Sequence, residues 1–326
     1  MVNQENNAHI AQGGWAERTV EQFAREVLIE KRRARRWRIF FRIVILLMII
    51  WVLLMLTFSG KSAQTSTGPH TALIKLEGAI YPGDETSAEY ILEAIENAYK
   101  DSNTKGIILK INSPGGTVVQ SALMADGIRR LRAQYPNVPF YVVVDEVCAS
   151  GGYFVASAAE KIFVNDGSIV GSIGVIYNGF GFTKTMEKLG IERRLVTAGD
   201  EKAGMDPFSP ESEKSKAHLQ AMMNDIHQQF IDAVKLGRGD RLKLDTPDLF
   251  SGMVWTGRQS IAFGLVDEVG DVMTVSKEII KAETIVDFTI QDSFANRLAK
   301  QFGATSQLLS KIASETPTGM MMLYVQ

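Results

Sequence analysis

Two apolar runs that each break at a glycine-rich turn and restart as a helix constrain this chain more than any other feature. Gly106 to Ile111 reads as a buried strand, stops at Asn112-Ser113-Pro114-Gly115-Gly116, and resumes as a helical pattern to about Ala133. Phe140 to Val144 reads as another, followed by Val147-Cys148-Ala149-Ser150-Gly151-Gly152-Tyr153 and the small-residue segment Ala156 to Ala159. Strand, turn, helix, strand is the pattern of an α/β domain with a mostly parallel sheet. Ligands in such sheets gather beyond the carboxyl ends of the strands, where both turns are expected. A serine at the second turn places its hydroxyl at a helix N-terminus, where backbone N–H groups and the helix dipole favour developing negative charge. Two such turns side by side offer the two donors of an oxyanion hole, while each taken singly is equally an ordinary βα connection.

The alternation extends on both sides. A strand over 72–80 and a helix over 87–100 come before the first turn; a strand over 162–164 and the glycine-rich run 168–181 follow the second. Beyond them the pattern predicts a short helix over 182–189, a strand over 194–197, a Gly/Pro/acid-rich loop over 199–210 and a long helix over 211–236. Its apolar stripe, Leu219, Met222, Met223, Ile226, Phe230 and Val234, faces a core or a second subunit. A last helix opens at Trp255-Thr256-Gly257 and ends at Gly264, ahead of Leu265-Val266-Asp267.

The N-terminus speaks to location. Residues 31–38 hold six basic side chains, directly before a 20-residue apolar run, 39–58, whose one charge is Arg42. That length spans a bilayer, and the positive-inside rule places residues 1–38 in the cytoplasm and the remainder across the inner membrane. A cleavable signal peptide has a shorter apolar core and leader. The resulting division is a cytoplasmic tail 1–38 with a short amphipathic helix, a transmembrane helix 39–58 in contact with membrane lipid, a linker 59–70, a domain 71–290, and a C-terminal helix and tail 291–326. Residues 1–42 carry nine Lys/Arg and five Asp/Glu, which leaves 26 against 32 in the rest: a mildly acidic body with no nucleic-acid signature.

A serine nucleophile needs a base. Of the four histidines, His9 lies in the tail, His70 in the linker, and His218 and His227 on the long helix, with none between 70 and 218. A triad through His218 or His227 is one reading; a desolvated lysine is the other, and Lys202 in the loop before the long helix is a candidate that spacing alone does not select. The single cysteine, Cys148, is either a second nucleophile candidate or a small core residue, and it excludes an internal disulfide.

From Leu73 to about Val272 the chain resembles the bacterial membrane-anchored signal peptide peptidases of the Ser/Lys protease IV family. The matching pieces are Ile111 to Gly116, Ala149 to Tyr153, Gly171-Ser172-Ile173-Gly174-Val175, Lys202 ahead of Pro207-Phe208, and Gly264 to Asp267. The resemblance implies a Clp/crotonase-like fold, Ser150 as nucleophile, Lys202 as general base and Ser172 as the hydroxyl that holds the lysine amine. It implies an oxyanion hole made by Gly151 with Gly115 or Gly116, no cofactor and no metal, hydrophobic peptide substrates such as signal peptide remnants, and a homo-oligomer standing on the membrane. Two departures accompany it: Asp200 and Glu201 adjoin Lys202, and the first turn continues as Thr117-Val118-Val119. Clp protease subunits share the Asn-Ser-Pro-Gly-Gly turn but need a histidine. A crotonase-like acyl-CoA enzyme and an inactive membrane scaffold are the remaining alternatives.

Overall fold

The computed structural model describes residues 31–33, 35–51 and 68–290, and divides into a unit formed by Met1–Lys61 with Asp292–Gln326 and a unit of Ser62–Gln291. In the first unit residues 35–51 form helix α1, whose apolar side chains from Ile39 to Trp51 are exposed on every face. The expected span runs on through 52–58, which lie outside the described residues, as do the tail 1–30 and the C-terminal 291–326. Among the described residues no helix is long and apolar enough to cross a membrane.

The second unit runs β1 (His70–Glu77), α2 (Ala88–Lys100), β2 (Thr104–Ser113), α3 (Val118–Gln134), β3 (Phe140–Ala149), α4 (Gly151–Ala156), β4 (Lys161–Val164) and β5 (Ile169–Gly171). There follow α5 (Thr183–Lys188), α6 (Glu213–Arg238), β6 (Val254–Thr256), α7 (Gly257–Ala262), β7 (Glu268–Val269), α8 (Val272–Thr274) and β8 (Ile285–Asp287). One sheet takes the order β6-β5-β3-β2-β1-β8, with β4 on β3 and β7 on β4; among the described residues only the β5–β6 pair is antiparallel. Helices on the flanks force alternate residues of each central strand into two buried layers. Ile107, Leu109 and Ile111 join the main core with Ile91, Ile95, Met124 and Ile128, while Ile108 packs on the other face with Leu73, Val143 and Phe163.

β3 positions the site. Ile111 pairs with Val144, yet Ser113 pairs with Cys148, so β3 takes four residues where β2 takes two. The bulge changes its partner: Tyr141–Val143 pair with β4, Val147–Ala149 with β5. The end of the strand is thereby re-aimed, and the residue after it lands beside β5.

Two expectations need correction. Residues 194–197 form no strand; Val196 is 96% exposed, and among the described residues no sheet edge pairs with the segment, which leaves it without the ladder a strand requires. His70 is the first residue of β1, fully buried with Nδ1 at 3.0 Å from the Gly68 carbonyl and Nε2 at 3.2 Å from Thr104 Oγ1, rather than part of a linker. Of the apolar stripe on α6, Phe230 and Val234 are buried in the core, Leu219, Met223 and Ile226 are half-buried and Met222 is exposed.

Candidate active site

Ser150 sits between β3 and α4 with φ +51° and ψ −123°, a conformation non-glycine residues rarely adopt and one that costs about 1–3 kcal/mol. The surroundings hold it there: its N–H donates to the Gly171 carbonyl at 2.8 Å, and its carbonyl accepts from Phe154 N–H at 2.9 Å. The chain therefore turns sharply from strand into helix at this one residue.

The first glycine turn packs directly on it. Gly115 has φ +104°, and a side chain there would sit 2.7 Å from the Gly151 nitrogen and 2.8 Å from Ser150 Cβ. A side chain on Gly151 would overlap Ser121 Oγ. Ile80 clamps the turn from outside, donating to the Gly115 carbonyl and accepting from Thr117 N–H, both at 2.9 Å. Within the turn the two glycines differ. Gly115 N–H donates to Ser113 Oγ at 3.1 Å, whereas Gly116 N–H donates to no acceptor among the described residues. Gly151 opens α4, so its N–H likewise has no intrahelical acceptor. Two uncommitted N–H groups thus flank the Ser150 turn.

Ser172 follows β5 with φ +54°, its N–H donating to the Met253 carbonyl at 2.7 Å. One residue on, the Ile173 carbonyl lies 3.0 Å from His227 Nε2 on α6. Ser172 is thus joined to Ser150 through the backbone of Gly171. Lys202 occupies the exposed turn 199–206, where its N–H donates to the Gly199 carbonyl at 3.2 Å. Its acidic neighbour Glu201 faces α6, accepting from Ser212 Oγ at 3.1 Å and from Ser215 Oγ, with Lys214 Nζ at 3.3 Å. Hydrogen bonds from Ser215 and Ser212 hold that carboxyl below the ordinary range. Asp206 is taken up in the same way by Ser209 and Arg193.

The other nucleophile candidate is closed off. Cys148 is fully buried, and burial pushes its thiol far up, which makes it a core residue. His218 is exposed on α6. The sequence reading assigns no role to Ser113, Ser121 or Ile80, which shape the glycine turn; of these only Ser113 lies inside one of the matching motifs.

One more network supports the shelf. Tyr153, three residues after Ser150, donates its hydroxyl to the Leu265 carbonyl at 2.7 Å. Arg238, fully buried, donates Nε to the Gly264 carbonyl at 2.9 Å and forms a two-pronged pair with Asp267 at 2.8 and 2.9 Å. Gly264 to Asp267 thus ties α4 to the end of α6.

Comparison with known proteins matches the family model "Peptidase family S49" to residues 132–286. A Brucella melitensis protein named Na(+)/H(+) antiporter NhaA is 42% identical over 207 residues, 62% of this chain, and this chain spans 28% of that relative's length. Protease 4 of Haemophilus influenzae is 29% identical, covering 76% of this chain and 40% of that protein. A Methanocaldococcus jannaschii protein, named as a protease on inference, is 30% identical over 270 residues, 78% of this chain and 86% of its own length. With its glycine-flanked serine inside a match of that extent, this chain belongs to peptidase family S49.

Proposed function

We propose that this chain is a membrane-anchored serine endopeptidase that hydrolyses signal peptide remnants and other short hydrophobic or unfolded chains through an acyl-enzyme. One observation carries the reading: Ser150 held at positive φ at the head of α4, with the uncommitted N–H groups of Gly116 and Gly151 on the two turns packed around it. A neutral Lys202 amine takes the Ser150 proton as Oγ attacks the peptide carbonyl, and Ser172 orients the amine. Gly116 and Gly151 receive the oxyanion, and collapse expels the leaving amine, protonated by the lysinium. Water then attacks the ester, the lysine accepts its proton, and Ser150 is released.

The amine comes from a neighbouring copy. Glu201 fixes the Lys202 turn to Ser215 at the start of α6, while His227, twelve residues along, meets the Ile173 carbonyl beside Ser172. At 1.5 Å per residue those mounts stand about 18 Å apart, more than a lysine side chain covers. The segment around Lys202 also carries the means of association, since Ile176, Phe180, Leu189 and Val196 are all exposed. A closed ring of copies on the membrane would cover them and take the amine out of water. The basic cluster at 31–38 and the apolar run after it supply the anchor, with the catalytic unit outside the cytoplasm.

A fluorophosphonate probe on the full chain tests the reading. Labelling at Ser150, lost together with turnover of a hydrophobic peptide in Ser150→Ala, is the expected result; labelling that survives the substitution overturns it.

A further inference from the structure

Glu201 is fastened more tightly than a residue on an exposed turn ordinarily is. Its carboxylate accepts from Ser212 and Ser215 and pairs with Lys214, and its own carbonyl accepts from Gly204 N–H at 3.1 Å. Gly204 lies so close that a side chain there would overlap Ser215 Oγ. Ser212 is at the same time the N-cap of α6, accepting from Ser215 N–H at 3.2 Å, so one carboxylate closes the first turn of the helix from outside, on the side its dipole favours. A single peptide unit then separates this fixed point from Lys202, with consecutive Cα atoms about 3.8 Å apart. The same helix meets the carbonyl next to Ser172 through His227.

We infer that Glu201 is the positioning residue of the lysine base: its carboxylate docks the 199–206 turn on the first turn of α6 and thereby sets where Lys202 is presented. This rests on the Ser150/Lys202 reading. It also gives the acid beside the base a use. Its charge is directed into Ser212, Ser215 and Lys214, and the nearby Asp206 is engaged by Arg193 and Ser209.

Glu201→Gln, Glu201→Asp and Ser215→Ala, made in the full chain beside Lys202→Ala, test it by peptide turnover across pH and by thermal melting. Glu201→Gln is expected to lower kcat by about tenfold or more with KM within twofold, because the dock loses its charge and its pair with Lys214 while the residues around Ser150 are untouched. Glu201→Asp keeps the charge on a stem one methylene too short to reach both serines. Its freed carboxylate swings to the amine, so the rising limb of its pH profile moves to higher pH, a movement Glu201→Gln does not produce. Ser215→Ala, which leaves Glu201 in place, shifts kcat in the same direction by less. Unchanged kcat and an unmoved limb in all three, with only a lower melting temperature, reduce Glu201 to a helix cap and overturn the inference. Full turnover in Lys202→Ala overturns the dyad beneath it, a result distinct from silent Glu201 variants in an enzyme that Lys202→Ala inactivates.

Discussion

The shelf around Ser150 and the arm around Lys202 are built on opposite plans. The main constraints on Ser150 come from backbone of the same unit: the β3 bulge, the Gly171 carbonyl, the Gly115–Gly116 turn and the clamp from Ile80. The arm from 176 to 210 instead closes on itself through Phe182 stacked on Phe208, Arg193 over the Phe208 ring and the Arg193–Asp206 pair, leaving apolar side chains outward. One chain therefore holds the proposed nucleophile and its proposed donors on packed backbone and carries the proposed base on an exposed turn.

The sharpest way to break that contrast is to change the proposed base. Lys202→Arg, charged at every working pH, should lower kcat by about 10²–10⁴-fold while Ser150 keeps its geometry. Because the amine is proposed to come from a neighbour, Ser150→Ala and Lys202→Ala, each inactive alone, should restore turnover when co-expressed. Activity that never returns in the mixed assembly would place both residues in one protomer and erase the division between shelf and arm.

Asp267 tests whether the two regions share a foundation. Burial opposes its charge, yet the Arg238 hydrogen bonds and charge, with Ile162 N–H and Arg241, hold the carboxyl below the ordinary range. A depressed folded value means this stabilisation is complete above the usual carboxylate range near pH 4 and is lost as pH falls through the lower folded value. Asp267→Asn strands a buried guanidinium and should cost about 3–5 kcal/mol, read as a lower melting temperature at pH 7 that converges on wild type in acid. Since Arg238 ends α6 and Tyr153 hangs from Leu265, turnover should suffer in shelf and arm alike.

Gly151→Ala isolates the shelf. The added methyl overlaps Ser121 Oγ and displaces one of the two N–H groups, so kcat should fall by about 10²–10³-fold with stability reduced less than in Asp267→Asn. Gly151→Ala with Ser121→Gly makes room and should recover part of the loss; no recovery would mean that the methyl acts on substrate rather than on the turn.

The shelf was largely legible in the sequence and the arm was not, for a physical reason. Gly115-Gly116 and Ser150-Gly151-Gly152 are local signals, since the turns need those residues wherever the chain goes next. The choice between Gly115 and Gly116 depended on Ser113 Oγ taking one N–H, a contact no periodicity reports. In the arm, residues 194–197 have strand composition, but a strand exists only with a partner edge, and among the described residues none pairs with them. The direction of Glu201 was likewise set by serines eleven and fourteen residues away on α6.

Val196 gives the smallest effect and the cleanest separation of the two plans. At 96% exposed it touches almost nothing of its own unit, so Val196→Ser should change the stability of the dissociated chain by no more than about 0.5 kcal/mol. If the arm is an interface, the same substitution should lower the sedimentation coefficient at low protein concentration and reduce turnover there, both recovering as concentration rises, because mass action refills a weakened contact. A melting temperature that drops in the dissociated chain would instead make the arm part of its own unit's packing, and the exposed lysine beside it would then need another explanation.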